Sequence, residues 1–186
     1  MVSIPSANLL LHICCAPCSI ACAEALGREG EGFSLTGFWD NPNIHPFTEY
    51  LSRRDALTAF AGQIGLPLVL HGNYGLRPFL KAVAGDPGSR CSYCYARRMG
   101  SAARYAALNG FPAFSTTLLI SPYQDHERLR EAGESAAREA GVSFLYRDFR
   151  PLFRQGQAQA RKLGLYMQKY CGCVFSEEER FNRVLP

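Results

Sequence analysis

The chain has 186 residues, 47% of them hydrophobic and 19% charged, which suits one domain with a sizeable core and excludes a disordered chain. Its net charge of +4 is compatible with a nucleic-acid partner without requiring one. No apolar run approaches the ~20 residues that span a bilayer, and no basic segment precedes Met1-Val2-Ser3-Ile4-Pro5, so the expectation is a cytoplasmic protein without signal peptide or membrane contact.

The run Leu9-Leu10-Leu11-His12-Ile13 reads as a buried strand, and Cys14-Cys15-Ala16-Pro17-Cys18 follows it directly. Three thiols thus fall where a strand ends and a helix begins, the junction at which open α/β sheets gather their ligands. Ser19 to Arg28 predicts a helix whose apolar face carries Ala21, Cys22, Ala25 and Leu26, stopped by Gly27 and Gly30. Cys22 on that face reads as a small buried hydrophobe. Ser34 to Trp39 predicts a second strand ending in the polar turn Asp40-Asn41-Pro42-Asn43. Those side chains either only build the turn or face a substrate.

Thr48 to Gln63 predicts a helix with Tyr50, Leu51, Leu57, Phe60 and Ala61 toward the core and Arg53 and Arg54 pointing elsewhere. A short strand over Pro67–Leu70 follows, then a short helix and a Gly/Asp/Pro-rich loop between Tyr74 and Gly88. Arg90 to Asn109 predicts a long helix beginning near Ser89. Cys91 and Cys94 share one side of it, with Arg98 beyond them, while Arg90, Arg97 and Arg104 form a basic stripe. The stripe is either a solvated face or a phosphate-binding surface. Pro112 to Thr117 predicts a fourth strand leading into Leu118 to Gln124. A helix over Asp125–Ala140, a strand over Ser143–Tyr146 and a short helix over Gly156–Leu163 come next. Cys171-Gly172-Cys173 holds the last thiols, and Ser176-Glu177-Glu178-Glu179 has the spacing of a capping box for a final helix ending near Asn182. Strands alternating with helices predict a parallel sheet covered on both faces, one α/β domain over residues 1–186.

Seven of the eight cysteines lie in three tight clusters. In a reducing compartment clustered thiols bind metal or do redox chemistry more often than they form structural disulfides. Four thiolates complete a tetrahedral zinc site. A four-cysteine iron–sulfur cluster would leave three over. Spacing alone assigns no individual ligand, and Cys-x-x-Cys suits zinc or a dithiol equally. Three classes therefore stay open on the residues: a redox enzyme with an iron–sulfur centre, a zinc-binding RNA module, and a thiol oxidoreductase.

Taken together, Cys14-Cys15-Ala16-Pro17-Cys18, Trp39-Asp40-Asn41-Pro42-Asn43-Ile44, Arg90-Cys91-x-x-Cys94-Tyr95-x-x-Arg98, Thr116-Thr117-Leu118-x-x-Ser121-Pro122 and Tyr170-Cys171-Gly172-Cys173-Val174-Phe175-Ser176 resemble the QueH-type epoxyqueuosine reductases. The resemblance implies a nucleotide-α-hydrolase-like, Rossmann-like α/β fold. It implies reduction of epoxyqueuosine to queuosine at the wobble position of tRNA with a GUN anticodon, the last step of queuosine biosynthesis, fed by an unidentified electron donor. It also implies a [4Fe–4S] cluster with an adjacent iron, which zinc can replace in aerobic preparations. Cys14, Cys15, Cys91, Cys94, Cys171 and Cys173 match the family's cysteine positions, and Cys18 joins them as an expected ligand of the outer metal, the Cys-Gly-Cys segment closing the site. Asp40 or a bound water is expected to supply the proton. Asn41, Asn43, Thr116 and Thr117 are expected to hydrogen-bond the nucleoside and Arg97 and Arg98 to bind the substrate near the thiols, while Trp39 and Tyr95 either pack in the core or offer a face for base stacking.

Overall fold

The computed structural model describes residues 7–27 and 30–182. The Met1–Pro5 segment and the Arg28 end of the first predicted helix lie outside the described residues. Strand β1 (Asn8–His12) carries Leu9, Leu10 and Leu11 with no solvent exposure. A run buried on both faces is what the middle of a parallel sheet requires. β1 is indeed the centre of a five-stranded sheet in the order β3-β2-β1-β4-β5, with β2 (Ser34–Trp39), β3 (Leu68–Leu70), β4 (Ala113–Thr116) and β5 (Ser143–Phe144). Every pairing is parallel, and Leu9 faces Leu35 on one side and Ala113 on the other.

Parallel neighbours need crossover connections, which here are helical. Helix α1 (Ala16–Leu26) joins β1 to β2, and α2 (Phe47–Ile64) joins β2 to β3. Helices α3 (Leu76–Val83) and α4 (Arg90–Leu108) lie between β3 and β4, and α5 (His126–Ala140) joins β4 to β5. Helix α5 starts where Asp125 accepts the Arg128 backbone N–H at 3.1 Å, satisfying one otherwise orphaned donor. Helices α6 (Phe153–Lys162) and α7 (Val174–Phe181) follow β5. Helix α4 packs along α5, and α6 covers α1. The result is a Rossmann-like α/β arrangement. No described helix is long and apolar enough to cross a membrane.

Several ends differ from the sequence expectation: α1 and α6 each begin three residues earlier than read, at Ala16 and Phe153, and two further ends are more informative. Helix α7 begins at Val174, so Ser176 lies inside its first turn instead of before it. The Ser176 hydroxyl donates to the Cys173 carbonyl at 2.8 Å and accepts the Gly172 N–H at 3.1 Å, folding the preceding turn instead of capping a later helix. Strand β5 stops at Phe144, although Leu145 N–H still reaches the Phe114 carbonyl at 2.8 Å.

The strand order fixes where a ligand can sit. The chain runs outward from β1 through β2 to β3, then returns to the other side of β1 for β4. Adjacent strands whose connections leave in opposite directions open a crevice at their carboxyl ends. Cys14 follows β1 and Thr117 follows β4 at that crevice, and the Cys14 N–H donates to Thr117 Oγ1 at 3.2 Å.

Candidate metal centre

The β1–α1 junction turns sharply, with Cys15 extended just before α1 and Pro17 in its first turn. This brings the sulfurs of Cys14, Cys15 and Cys18 within 4.8 Å of one another. All three residues are buried, and the Cys14 and Cys15 sulfurs are 3.8 Å apart. Gln168 approaches from the segment before the last thiols, its Nε2 donating to Cys15 Sγ at 3.0 Å. Hydrogen bonds from Cys15 and Cys18 hold the Cys14 thiol well below its usual range, and the Arg98 charge adds to the effect against the cost of burial. Cys15 is pushed up mainly by burial, and Cys18 mainly by spending its hydrogen on its neighbours. Without metal the negative charge therefore concentrates on Cys14. A soft or borderline metal would displace the remaining protons, as thiolate coordination requires. A buried triad of mutually close sulfurs fits such an ion.

A second set of thiols also lies near Arg98. Cys94 on α4 is buried, and burial pushes its pKa up to about 12. Negative charge on Cys171 and Cys173 would raise both Cys91 and Cys94, so the four belong to one neighbourhood. They are not drawn into a tight group: the triad is the one set of three or more ligand-type side chains so close among the described residues. Cys91 and Cys171 are exposed, whereas Cys94 and Cys173 are buried. Arg98 is 2% exposed. Its Nε and Nη2 donate to Asn41 Oδ1, with Nε at 3.0 Å, and Nη1 points to Cys94 Sγ at 3.6 Å. The same cation favours ionisation of Cys14. A fixed positive charge thus acts on members of both sets of thiols.

The Cys171-Gly172-Cys173 segment is held from below by α2. Arg53, read from the sequence as pointing elsewhere, is 1% exposed. It donates to the Cys171 carbonyl at 2.8 Å and the Tyr170 carbonyl at 2.9 Å, while its Nε pairs with Glu49 at 2.6 Å. His45 adds a backbone bond to the Gly172 carbonyl at 2.7 Å and accepts the Val174 N–H on Nδ1 at 3.4 Å. Gly172 has φ of +152°, and a β-carbon there would press on Ile44 and Arg53. Glu49 and Arg53 stand four apart on a helix, the one signal available beforehand, but that spacing ordinarily marks an exposed pair.

Above the triad lies a cavity of about 460 Å³ whose wall includes Cys14, Cys18, Thr117 and Cys171. Gln124 also lines it and donates to Cys171 Sγ at 3.3 Å. A second cavity of about 320 Å³ opens beside Cys94 and takes in Asn43, Arg97, Tyr74 and Phe79. Asn43 is buried there with no partner for its Oδ1.

The expected substrate contacts therefore divide. Thr117 faces the first cavity, and Asn43 and Arg97 face the second. Asn41 is spent on Arg98 and on the Ile13 carbonyl, to which its Nδ2 donates at 2.9 Å. Thr116 pairs with His12 Nδ1 at 2.9 Å and accepts the Leu118 N–H at 3.2 Å. Asp40 is fully buried, its Oδ2 taken by Ser101 and by Arg97 at 3.0 Å, and it lines neither cavity. The basic stripe is not uniformly free, because Arg90 pairs with Glu179 and Arg97 with Asp40. Trp39 and Tyr95 are buried, which decides for core packing over a stacking face. Trp39 Nε1 donates to the Tyr50 hydroxyl at 3.3 Å, and the Tyr95 hydroxyl donates to Gln124 at 2.8 Å. Cys22 is fully buried in the core, as its place on the α1 face suggests.

Comparison with known proteins agrees with this arrangement. Residues 9–179 match a family model described as epoxyqueuosine reductase QueH. A protein of that name from Dehalococcoides mccartyi is 40% identical over 176 residues, covering 95% of this chain and 96% of the relative. One from Thermotoga maritima is 34% identical over 183 residues, covering 93% and 92%. One from Histophilus somni is 36% identical over 180 residues, covering 91% and 72%.

Proposed function

The chain belongs to the QueH family of epoxyqueuosine reductases, and from that premise we propose that it removes the epoxide oxygen of epoxyqueuosine at the wobble position of tRNA with a GUN anticodon, working in the cytoplasm as a single α/β domain. The observation that carries the reading is the buried sulfur triad at the crevice between β1 and β4, opening into a cavity shared with Cys171. The wanted reaction breaks both carbon–oxygen bonds of the epoxide and leaves a carbon–carbon double bond. It consumes two electrons and two protons, and the oxygen departs as water.

In this reading Cys91, Cys94, Cys171 and Cys173 would hold a [4Fe–4S] cluster, and Cys14, Cys15 and Cys18 an adjacent iron. Four thiolates are the usual complement of such a cluster, and a close set of three would suit a single soft or borderline ion. When bound, these groups supply the electrons, from a separate donor, and a Lewis acid for the leaving oxygen. The chain supplies the rest. Arg98 offsets the accumulated thiolate charge, and Asn41 fixes its fork. Gln168 steadies the Cys15 sulfur and Gln124 that of Cys171. Thr117 offers a hydroxyl on the cavity wall. Asp40 acts from behind, keeping Arg97 oriented toward the second cavity, where Asn43 also has a free acceptor. Water entering the open cavity is the nearer source of protons.

The test is direct. Protein purified without oxygen is assayed for iron and acid-labile sulfide, then given dithionite and an anticodon stem-loop carrying epoxyqueuosine. The digested RNA should contain a nucleoside lighter by one oxygen. A full iron and sulfide complement with unchanged nucleoside mass refutes the assignment.

A further inference from the structure

With Trp39 and Tyr95 in the core, three aromatic residues line the cavity above the triad, the half-buried Phe153 and Tyr170 and the far more exposed Tyr123. Tyr123 is 84% exposed, the most exposed aromatic side chain among the described residues, and it lines the cavity above the triad. An exposed ring of this size buries little apolar area, so the fold gains little from it. Its backbone is nevertheless well held. The Tyr123 N–H donates to Ser121 Oγ at 3.2 Å, and Pro122 stands between the two residues. The next residue, Gln124, is tied to Cys171 and Tyr95. The ring meets Phe153 edge to face, centroids 6.1 Å apart and planes at 85°. Such a contact fixes an orientation and leaves a ring face open.

The same cavity is lined by Lys169 and Arg180, both exposed. Neither joins an ion pair among the described residues, whereas Glu179 between α7 and α4 is already paired with Arg90. A free aromatic face and two free cations around one opening suit an unstacked nucleotide, whose base needs a platform and whose phosphates need positive charge.

We propose that Tyr123, braced by Phe153, is the platform on which a base of the substrate RNA beside the reactive nucleoside stacks, while Lys169 and Arg180 hold the adjoining phosphates. The proposal rests on the reductase reading for the identity of the RNA. It assigns binding, and no chemical step, to these side chains.

The test uses anaerobically loaded holoprotein and a fluorescent anticodon stem-loop with an unmodified wobble guanosine, read by anisotropy over a range of salt. Tyr123→Ala should melt with the wild type and bind about tenfold more weakly, the cost of losing one base–aromatic stack. Tyr123→Phe keeps the ring and should bind as the wild type does. Lys169→Ala and Arg180→Ala should each lower the slope of log affinity against log salt by roughly one unit, which Tyr123→Ala should not. Wild-type affinity in Tyr123→Ala overturns the platform, as does an equal loss in Tyr123→Phe or a wild type that binds no RNA. Slower reduction by a donor protein, with RNA affinity intact in Tyr123→Ala, also overturns it and gives the surface to that donor. Failure of the reductase reading looks different: the RNA binds with the stated pattern, yet epoxyqueuosine in the stem-loop keeps its oxygen.

Discussion

At the scale of single residues, the eight cysteines divide by surroundings. Cys22 is fully buried in the core on α1, one turn beyond Cys18 and outside the close sulfur triad. Cys22→Ala should therefore leave iron content and turnover near wild type, while Cys15→Ala and Cys94→Ala should each lose iron; equal losses in all three would remove the division. His45 shows a different dependence. Burial lowers its pKa from 6.5 to about 4, so the folded chain keeps it neutral. Between about pH 6.5 and 4 the unfolded chain binds a proton there that the folded chain does not. Stability of the metal-free protein should consequently fall as pH drops through that window, with His45 contributing at most about 1.4 kcal/mol per pH unit, most steeply midway between the two values. Denaturant unfolding at neutral pH and at pH 5 checks this, since His45→Leu should lose less than the wild type on acidification. Identical losses would mean that the histidine is not held neutral.

At the scale of elements, α2 and the Cys171–Cys173 segment form one mechanical unit through Arg53. Arg53→Met would leave Glu49 buried without its cation and strip the Tyr170 and Cys171 carbonyls of their donors. Losing one partner of a buried ion pair costs about 3–5 kcal/mol. The variant should melt markedly earlier and lose cluster iron; an unchanged melting temperature together with full iron would refute the clamp. Arg53 also marks where sequence reading stops. Its acceptor lies 118 positions away, and no local pattern carries a contact of that span. The triad was legible because its signal is local: an apolar run, three thiols and a proline in succession. The strands and most helix limits were legible for the same reason, since burial writes its period into each segment. The start of α7 was not, because Ser176 responds to the docked turn before it. The exposure of Trp39, Tyr95 and Tyr123 was equally hidden, since an aromatic residue reads alike in a core and on a rim.

At the scale of the whole molecule, the sheet and the thiol-bearing C-terminal segment differ in how they are held. β1 is paired on both sides and buried, whereas Cys171–Cys173 depends on Arg53, on His45 and, in the proposed holoprotein, on metal. Chelation under reducing conditions should therefore raise amide hydrogen exchange over residues 165–182 first, leaving β1, β2 and β4 protected. Uniform loss of protection across the sheet would show that the metal supports the entire fold. The separation of the sulfurs along the chain has a consequence for biosynthesis. Cys14, Cys15 and Cys18 leave the ribosome early, but Arg98, Thr117 and Gln168, which enclose or steady them, are translated much later. A nascent chain thus carries three uncovered thiols until those later residues are made. In the proposed holoprotein iron insertion would therefore follow translation of those residues, and the half-made polypeptide would be the form most open to oxidation and to capture of the wrong metal.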